Sequence, residues 1–306
     1  MTEKAVIFRL LDGIPRRSGK TKKYQVYQES NRKEATIKAI LRHLEEQPDA
    51  ARQKDEYGHT PLHIVCLCRE VPLDLVSVLL SLWPDATKKI NGAGYIPLHC
   101  ALMFGASSLD IVSALLNTWP DAAKQENRLG MTSLHIALCA SVPFDIISIL
   151  LSAWPAAVKQ RKYHLDSPLH MACSYGEAVP FEMTTLLVDA WLGDKESRSS
   201  SGRVAWHEYT RIPRMRADVK KLVSYVSAVY SEITDNPSPN EIMTYFVSIN
   251  LWNGVAFVLN KHPGVVKAMD LDAKIMTNFL FMVGRCGRLT TMWEVLCNEQ
   301  DLLRDV

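Results

Sequence analysis

One feature constrains this chain more than any other: the same side chains return about every 36 residues. His63, His99, His135 and His170 are spaced by 36, 36 and 35 positions, and Trp83, Trp119, Trp154 and Trp191 by 36, 35 and 37. Pro84, Pro120 and Pro155 follow the first three tryptophans. Three kinds of marker on one beat point to a single supersecondary unit copied along the chain, each copy burying its apolar face against the next.

Each copy has the same internal order. A turn-forming segment, Asp55-Glu56-Tyr57-Gly58 or Asn91-Gly92-Ala93-Gly94, leads into Thr60-Pro61-Leu62-His63 and its equivalents. Thr60 is placed to cap a helix through its hydroxyl oxygen. Pro61 then fills the first helical position, where a missing N–H costs nothing. A short apolar helix follows from Leu62 to about Cys68, and Val71-Pro72 breaks it. Leu75, Val76, Leu79 and Leu80 then carry the spacing of a second helix, which Pro84 ends after Trp83.

This unit resembles the ankyrin repeat, whose signature is Thr-Pro-Leu-His-x-Ala. The other copies read Ile96-Pro97-Leu98-His99-Cys100-Ala101, Thr132-Ser133-Leu134-His135-Ile136-Ala137 and Ser167-Pro168-Leu169-His170-Met171-Ala172. The units run two to three residues longer than the family's usual ~33. Ile96 stands where a capping Thr is expected, and Lys162 and Leu165 replace the Asp and Gly of the fourth turn. The resemblance implies an all-α solenoid of about six helix pairs with short turn fingers, interrupted by one insertion. It also implies that the histidines hold turn backbone. The tryptophans, placed at the ends of the second helices and, in the first three copies, directly before proline, suit packing against the next repeat.

The expected organisation has four parts. Residues 1–34 form a basic N-terminal arm, with a strand-like stretch from Ala5 to Leu11. Residues 35–192 hold a half-repeat, its helix at Ala35–Leu44, and the four clear repeats. Residues 193–239 are an insertion, polar and flexible in composition from Ser197 to Gly202, with one amphipathic helix from Ala217 to Ile233. Residues 240–306 hold degenerate repeats, with helices near Glu241–Ser248 and Trp252–Asn260 and a capping pair near Lys274–Val283 and Thr290–Cys297.

Charge and cysteine usage narrow the function classes. Formal net charge is +2. Residues 1–23 contribute +5 and residues 193–221 contribute +4, which leaves −7 on the remainder. Seven cysteines scattered through apolar runs read as reduced thiols, placing the chain in the cytosol or the nucleus. The first residues are too charged for a signal peptide, and no apolar run reaches the roughly 18–20 residues that span a bilayer. No membrane partner is expected.

Candidate chemistry is weak by comparison. The four histidines sit in equivalent places of successive units, too far apart to share a metal. His63-x-x-Cys66-x-Cys68 is a fragment of a soft-metal site without a second ligand pair; Cys66, Cys139 and Cys173 read as small buried residues. Gly13 to Thr21 superficially suggests a phosphate loop, but one extra residue breaks the spacing. Ser199, Ser200 and Ser201 lie between Arg198 and Arg203, as in a phosphorylated loop. No catalytic, cofactor-binding or metal-binding residue is assigned, and the chain is read as a non-enzyme without a cofactor.

The resemblance implies a partner-binding face made of turn fingers and outward positions of the first helices. The residues carried over are Tyr57, His59, Tyr95, Met103, Phe104, Arg128, Met131, Tyr163, His164 and Tyr175. Leu67 joins them, although Leu67 and Phe104 also suit a core position. The expected function is a monomeric, intracellular adaptor that binds another protein. The alternative is a nuclear or nucleic-acid-associated regulator acting through the basic arm and the insertion; the balanced overall charge argues against nucleic acid.

Overall fold

The computed structural model describes residues 6–14, 26–68, 71–103, 108–161, 166–231, 237–262 and 264–265. Among these, every regular element is helical: fourteen α-helices, five 3-10 helices and no strand. No helix of the described residues is long and apolar enough to cross a membrane. The chain divides into two compact units, Met1–Pro168 and Leu169–Val306.

In the first unit, α1 (Val6–Leu11) and α2 (Val26–Glu46) precede three successive helix pairs. These are α3 (Pro61–Leu67) with α4 (Leu73–Leu82), α5 (Pro97–Leu102) with α6 (Leu109–Thr118), and α7 (Ser133–Cys139) with α8 (Phe144–Ala153). First helices pack on first helices, α3 on α5 and α5 on α7, and second helices on second helices, α4 on α6 and α6 on α8. Each second helix buries one stripe: Leu75, Val76, Leu79 and Leu80 in α4; Ile111, Val112, Leu115 and Leu116 in α6; Ile146, Ile147, Leu150 and Leu151 in α8.

After each second helix comes a 3-10 turn opened by proline: Pro84–Lys88, Pro120–Lys124 and Pro155–Lys159. Pro48–Arg52 repeats it after α2. The third and fourth positions are buried in every copy (Ala50 and Ala51, Ala86 and Thr87, Ala122 and Ala123, Ala157 and Val158). Acid and base pair across the turn as Asp85–Lys88 at 2.8 Å and Asp121–Lys124 at 2.7 Å. Ala156 removes the acid from the last copy. These exposed pairs add little; the buried small residues set the turn.

The N-terminal segment departs from the sequence expectation. Val6–Leu11 is a helix, not a strand, and it packs on α2 and α3. Ile7, Leu11 and Ile14 recur at i, i+4 and i+7 and are all buried, the stripe of an amphipathic helix. Part of the 1–34 arm therefore belongs to the core. The half-repeat helix is longer than expected, beginning at Val26.

The second unit contains α9 (Pro168–Ser174, from its second residue on), α10 (Phe181–Gly193), α11 (Ser200–Tyr209), α12 (Ala217–Tyr230), α13 (Pro239–Ser248) and α14 (Trp252–Lys261). The insertion carries two helices rather than one. Ser199 caps α11, its hydroxyl accepting from the Gly202 N–H at 3.5 Å and donating to the Glu196 carbonyl at 2.6 Å. Gly202, Trp206 and Tyr209 form a buried stripe on it. A side chain at Gly202 would collide with the backbone of Ser197, so the two ends of the stretch read as flexible are packed together while Ser199, Ser200 and Ser201 between them are exposed. The amphipathic helix ends at Tyr230, and Ile233 lies outside the described residues, as does the pair expected near 274–297.

Beyond the insertion, α10 packs directly on α14, while α12 touches α10, α11, α13 and α14. Asp189 of α10 fixes the start of α14. Its carboxylate accepts from the Asn253 N–H at 2.7 Å and the Asn253 Nδ2 at 2.9 Å, and its carbonyl accepts from the same Nδ2 at 2.9 Å. Burial nonetheless pushes the Asp189 carboxyl up to about 6.

The tryptophans are not equivalent. Trp83, Trp119 and Trp154 each end a second helix in an extended backbone conformation and are half-buried. They lie past the inward stripe, and Lys89 Nζ stands 5.4 Å from the Trp83 ring centroid. No proline follows Trp191, so α10 continues through it. The ring is 2% exposed and meets Trp206 at 4.8 Å, Tyr209 at 6.2 Å and Tyr230 at 6.5 Å. Trp191→Ala should cost about 3–5 kcal/mol and Trp83→Ala less than about 2 kcal/mol; equal losses in urea unfolding followed by circular dichroism would refute the distinction.

Candidate functional site

Three turn fingers of the first unit are built on one plan. Asp55, Asn91 and Asn127 each use a side-chain oxygen to accept two backbone N–H groups, two and four residues on, at 2.8–3.0 Å. The N–H of each donates to the carbonyl four residues later at 3.0 Å. A short polar side chain that stands in for backbone is what makes Asp and Asn turn residues. Gly58, Gly94 and Gly130 close the turns at φ of 75°, 83° and 75°, a region that penalises any Cβ. At Gly94 a Cβ would also fall 2.9 Å from the Arg128 backbone nitrogen. The first two fingers are joined by the Gly92 N–H, which donates to the Tyr57 carbonyl at 2.7 Å.

The buried histidines tie helix caps to fingers. His63 Nδ1 accepts from the Thr60 N–H at 3.2 Å and lies 2.8 Å from the Thr60 hydroxyl, while Nε2 donates to the Tyr95 carbonyl of the next finger at 3.0 Å. His135 repeats this with Thr132 and the Asp166 carbonyl, the latter at 3.2 Å. At Ile96 the hydroxyl is missing, and its N–H reaches His99 Nδ1 at only 3.5 Å; His99 Nε2 still donates to the Gln125 carbonyl at 3.2 Å. With Nδ1 accepting and Nε2 donating, these rings are neutral and have no lone pair for a metal. Desolvation lowers His63 and His99 to about 4 and lowers His135 as well, against the opposing pull of the carbonyls.

His170 occupies other surroundings. Its ring stacks on Tyr209 at 4.2 Å, and Nε2 stands 3.9 Å from Glu208 Oε2, both on α11. Burial pushes the thiols of Cys100 and Cys173 up to about 12, keeping them protonated. Cys139 corrects the sequence expectation: it is exposed at the end of α7 rather than buried. The described residues contain no group of three or more His, Cys, Asp and Glu side chains placed to hold a metal ion.

The residues carried over for partner binding separate into groups. Tyr57 (64% exposed) and the exposed Arg128 stand at finger tips. His59, Tyr95 and Met131 sit at the finger bases and are half-buried. There His59 lies 6.0 Å from the His63 ring and Tyr95 6.0 Å, edge-on, from His99, so they support the histidines as well as bordering the face. Met103 and Leu67 are half-buried at the ends of α5 and α3. Tyr175 is exposed in the second unit. Phe104, Tyr163 and His164 lie outside the described residues. Sequence reasoning passes over Leu129, 63% exposed at the tip of the third finger; it stands two periods, 72 residues, after Tyr57.

Two of the eight basic side chains at 193–221 are engaged within the second unit. The Arg216 guanidinium is held by Asp218 and by the Val179 carbonyl, and Lys221 Nζ lies 4.8 Å from the Tyr245 ring centroid and 5.5 Å from that of Tyr225. In comparisons with known proteins, no family model and no curated protein matches the chain.

The neutral histidines imply a signed pH dependence. Below about 6.5 the unfolded chain binds protons that folded His63 and His99 refuse until about pH 4. Their contribution is therefore complete above 6.5 and is lost as the pH falls towards 4, by up to about 1.4 kcal/mol per unit for each ring. His63→Gln should flatten the fall in urea midpoint across this window, and an unchanged slope would rule out His63 as its source.

Proposed function

We propose that this chain is a non-catalytic ankyrin-type scaffold that captures another protein through the finger face of residues 55–131. One observation carries the reading: three fingers with one backbone hydrogen-bond plan present unlike tips, Glu56 and Tyr57, Gly92 and Ala93, Arg128 and Leu129. Turn geometry is held by Asp or Asn and by glycine, so the side chains of Tyr57, Arg128 and Leu129 are not needed to close their turns. Tyrosine and arginine are enriched where proteins meet, and exposed tyrosine and leucine on a rigid loop suit a partner surface. The neutral, fully engaged histidines favour a structural over a chemical role for the recurring motif.

The substitutions Tyr57→Ala, Arg128→Ala and Leu129→Ala together should remove the proteins captured by proximity labelling in cells while leaving helicity and thermal midpoint unchanged. Partners retained by this variant but lost on deleting residues 1–23, with capture weakening steeply in salt, would support the basic-arm reading instead.

A further inference from the structure

We propose that the N-terminal edge of α4, α6 and α8 is a second docking surface, which takes an extended basic segment of a partner protein with an apolar residue at every third position. Each of these helices opens on an exposed apolar residue followed by an aspartate: Leu73-Asp74, Leu109-Asp110 and Phe144-Asp145. Leu73, Leu109 and Phe144 are 40%, 39% and 44% exposed, and all three aspartates are exposed.

Folding explains only half of this pattern. An aspartate in the first turn suits the helix macrodipole. The apolar residue before it caps nothing: it stands at the solvent edge of the stripe that α4, α6 and α8 bury, three and seven residues before two buried members, and leaves about two fifths of its surface open to solvent. Single exposed apolar residues are ordinary. Three at the same register of helices that pack side by side form a row of apolar positions interleaved with carboxylates.

Charge and spacing select the occupant. None of Asp74, Asp110 and Asp145 has an ion-pair partner among the described residues, so the row offers alternating apolar and anionic positions to a chain with apolar and cationic ones. Packed helices lie about 8–10 Å apart. Three residues of polyproline II advance about 9 Å, which sets one apolar side chain on each rung and a basic one beside each carboxylate. A β-strand advances about 6.6 Å between same-face residues and falls out of step.

The test measures fluorescence anisotropy of a labelled peptide of repeated Leu-Lys-Pro triplets against the full chain. Leu73→Ser, Leu109→Ser and Phe144→Ser together should weaken binding at least about tenfold. Asp74→Asn, Asp110→Asn and Asp145→Asn together should weaken it and flatten its salt dependence, and the finger-tip variant should bind as the parent does. No binding by the parent, indifference to both ladder variants, or loss with the finger-tip variant overturns the proposal. So does tighter binding of a helical probe with leucine at every seventh position, or self-association in sedimentation that the serine variant abolishes. Finger capture and ladder binding fail independently.

Discussion

The structure of the first unit depends on a neutral imidazole that bonds in two directions. Nδ1 gathers the free N–H at the start of one first helix, and Nε2 donates to a carbonyl at or before the following finger. Burial alone would disfavour a charged ring, and the geometry also requires an accepting Nδ1. One side chain thereby sets a helix start and the position of the next copy of the unit. Where threonine is replaced by Ile96, the bond from His99 to the Gln125 carbonyl persists at 3.2 Å while the cap bond lengthens to 3.5 Å, so the link to the next helix pair survives loss of the hydroxyl.

Around that link the labour divides by residue type. Small residues after each proline let the 3-10 turn approach the helices; leucines, isoleucines and valines fill the second-helix stripe; Asp, Asn and Gly shape the fingers. The side chains of Tyr57, Arg128 and Leu129 do not close the turns that carry them, which is why the candidate partner surface can vary while the turn geometry is kept. In the second unit a buried aromatic group of Trp191, Trp206, Tyr209 and Tyr230 replaces the half-buried tryptophans of the first.

Much of this is legible in the sequence because periodicity reports equivalence directly: helix pairs at α3 to α8, the Thr60 cap, and the helices at 239–261 follow from spacing and turn residues. The misreadings share a cause. Val6–Leu11 reads as a strand because the apolar run is short, although Ile7, Leu11 and Ile14 carry a helical stripe. Ser197–Gly202 reads as flexible from composition, although Gly202, Trp206 and Tyr209 keep helical spacing. Trp191 falls in with the other tryptophans by its place in the beat, when the missing proline after it is the better guide to its surroundings. Leu129 escapes notice because its residue type differs from Tyr57 while its position does not.

The histidine relay has a polarity. Each ring gives its Nε2 proton forward along the chain, so every copy relies on an acceptor from its downstream neighbour. Loss of material on the downstream side strands a buried donor, whereas loss upstream strands only a carbonyl, which tolerates solitude better. In the second unit His170 meets α11 instead of another finger, with Tyr209 stacked on its ring and Glu208 close to Nε2. The segment that interrupts the beat thus provides the surroundings in which the fourth histidine is seated.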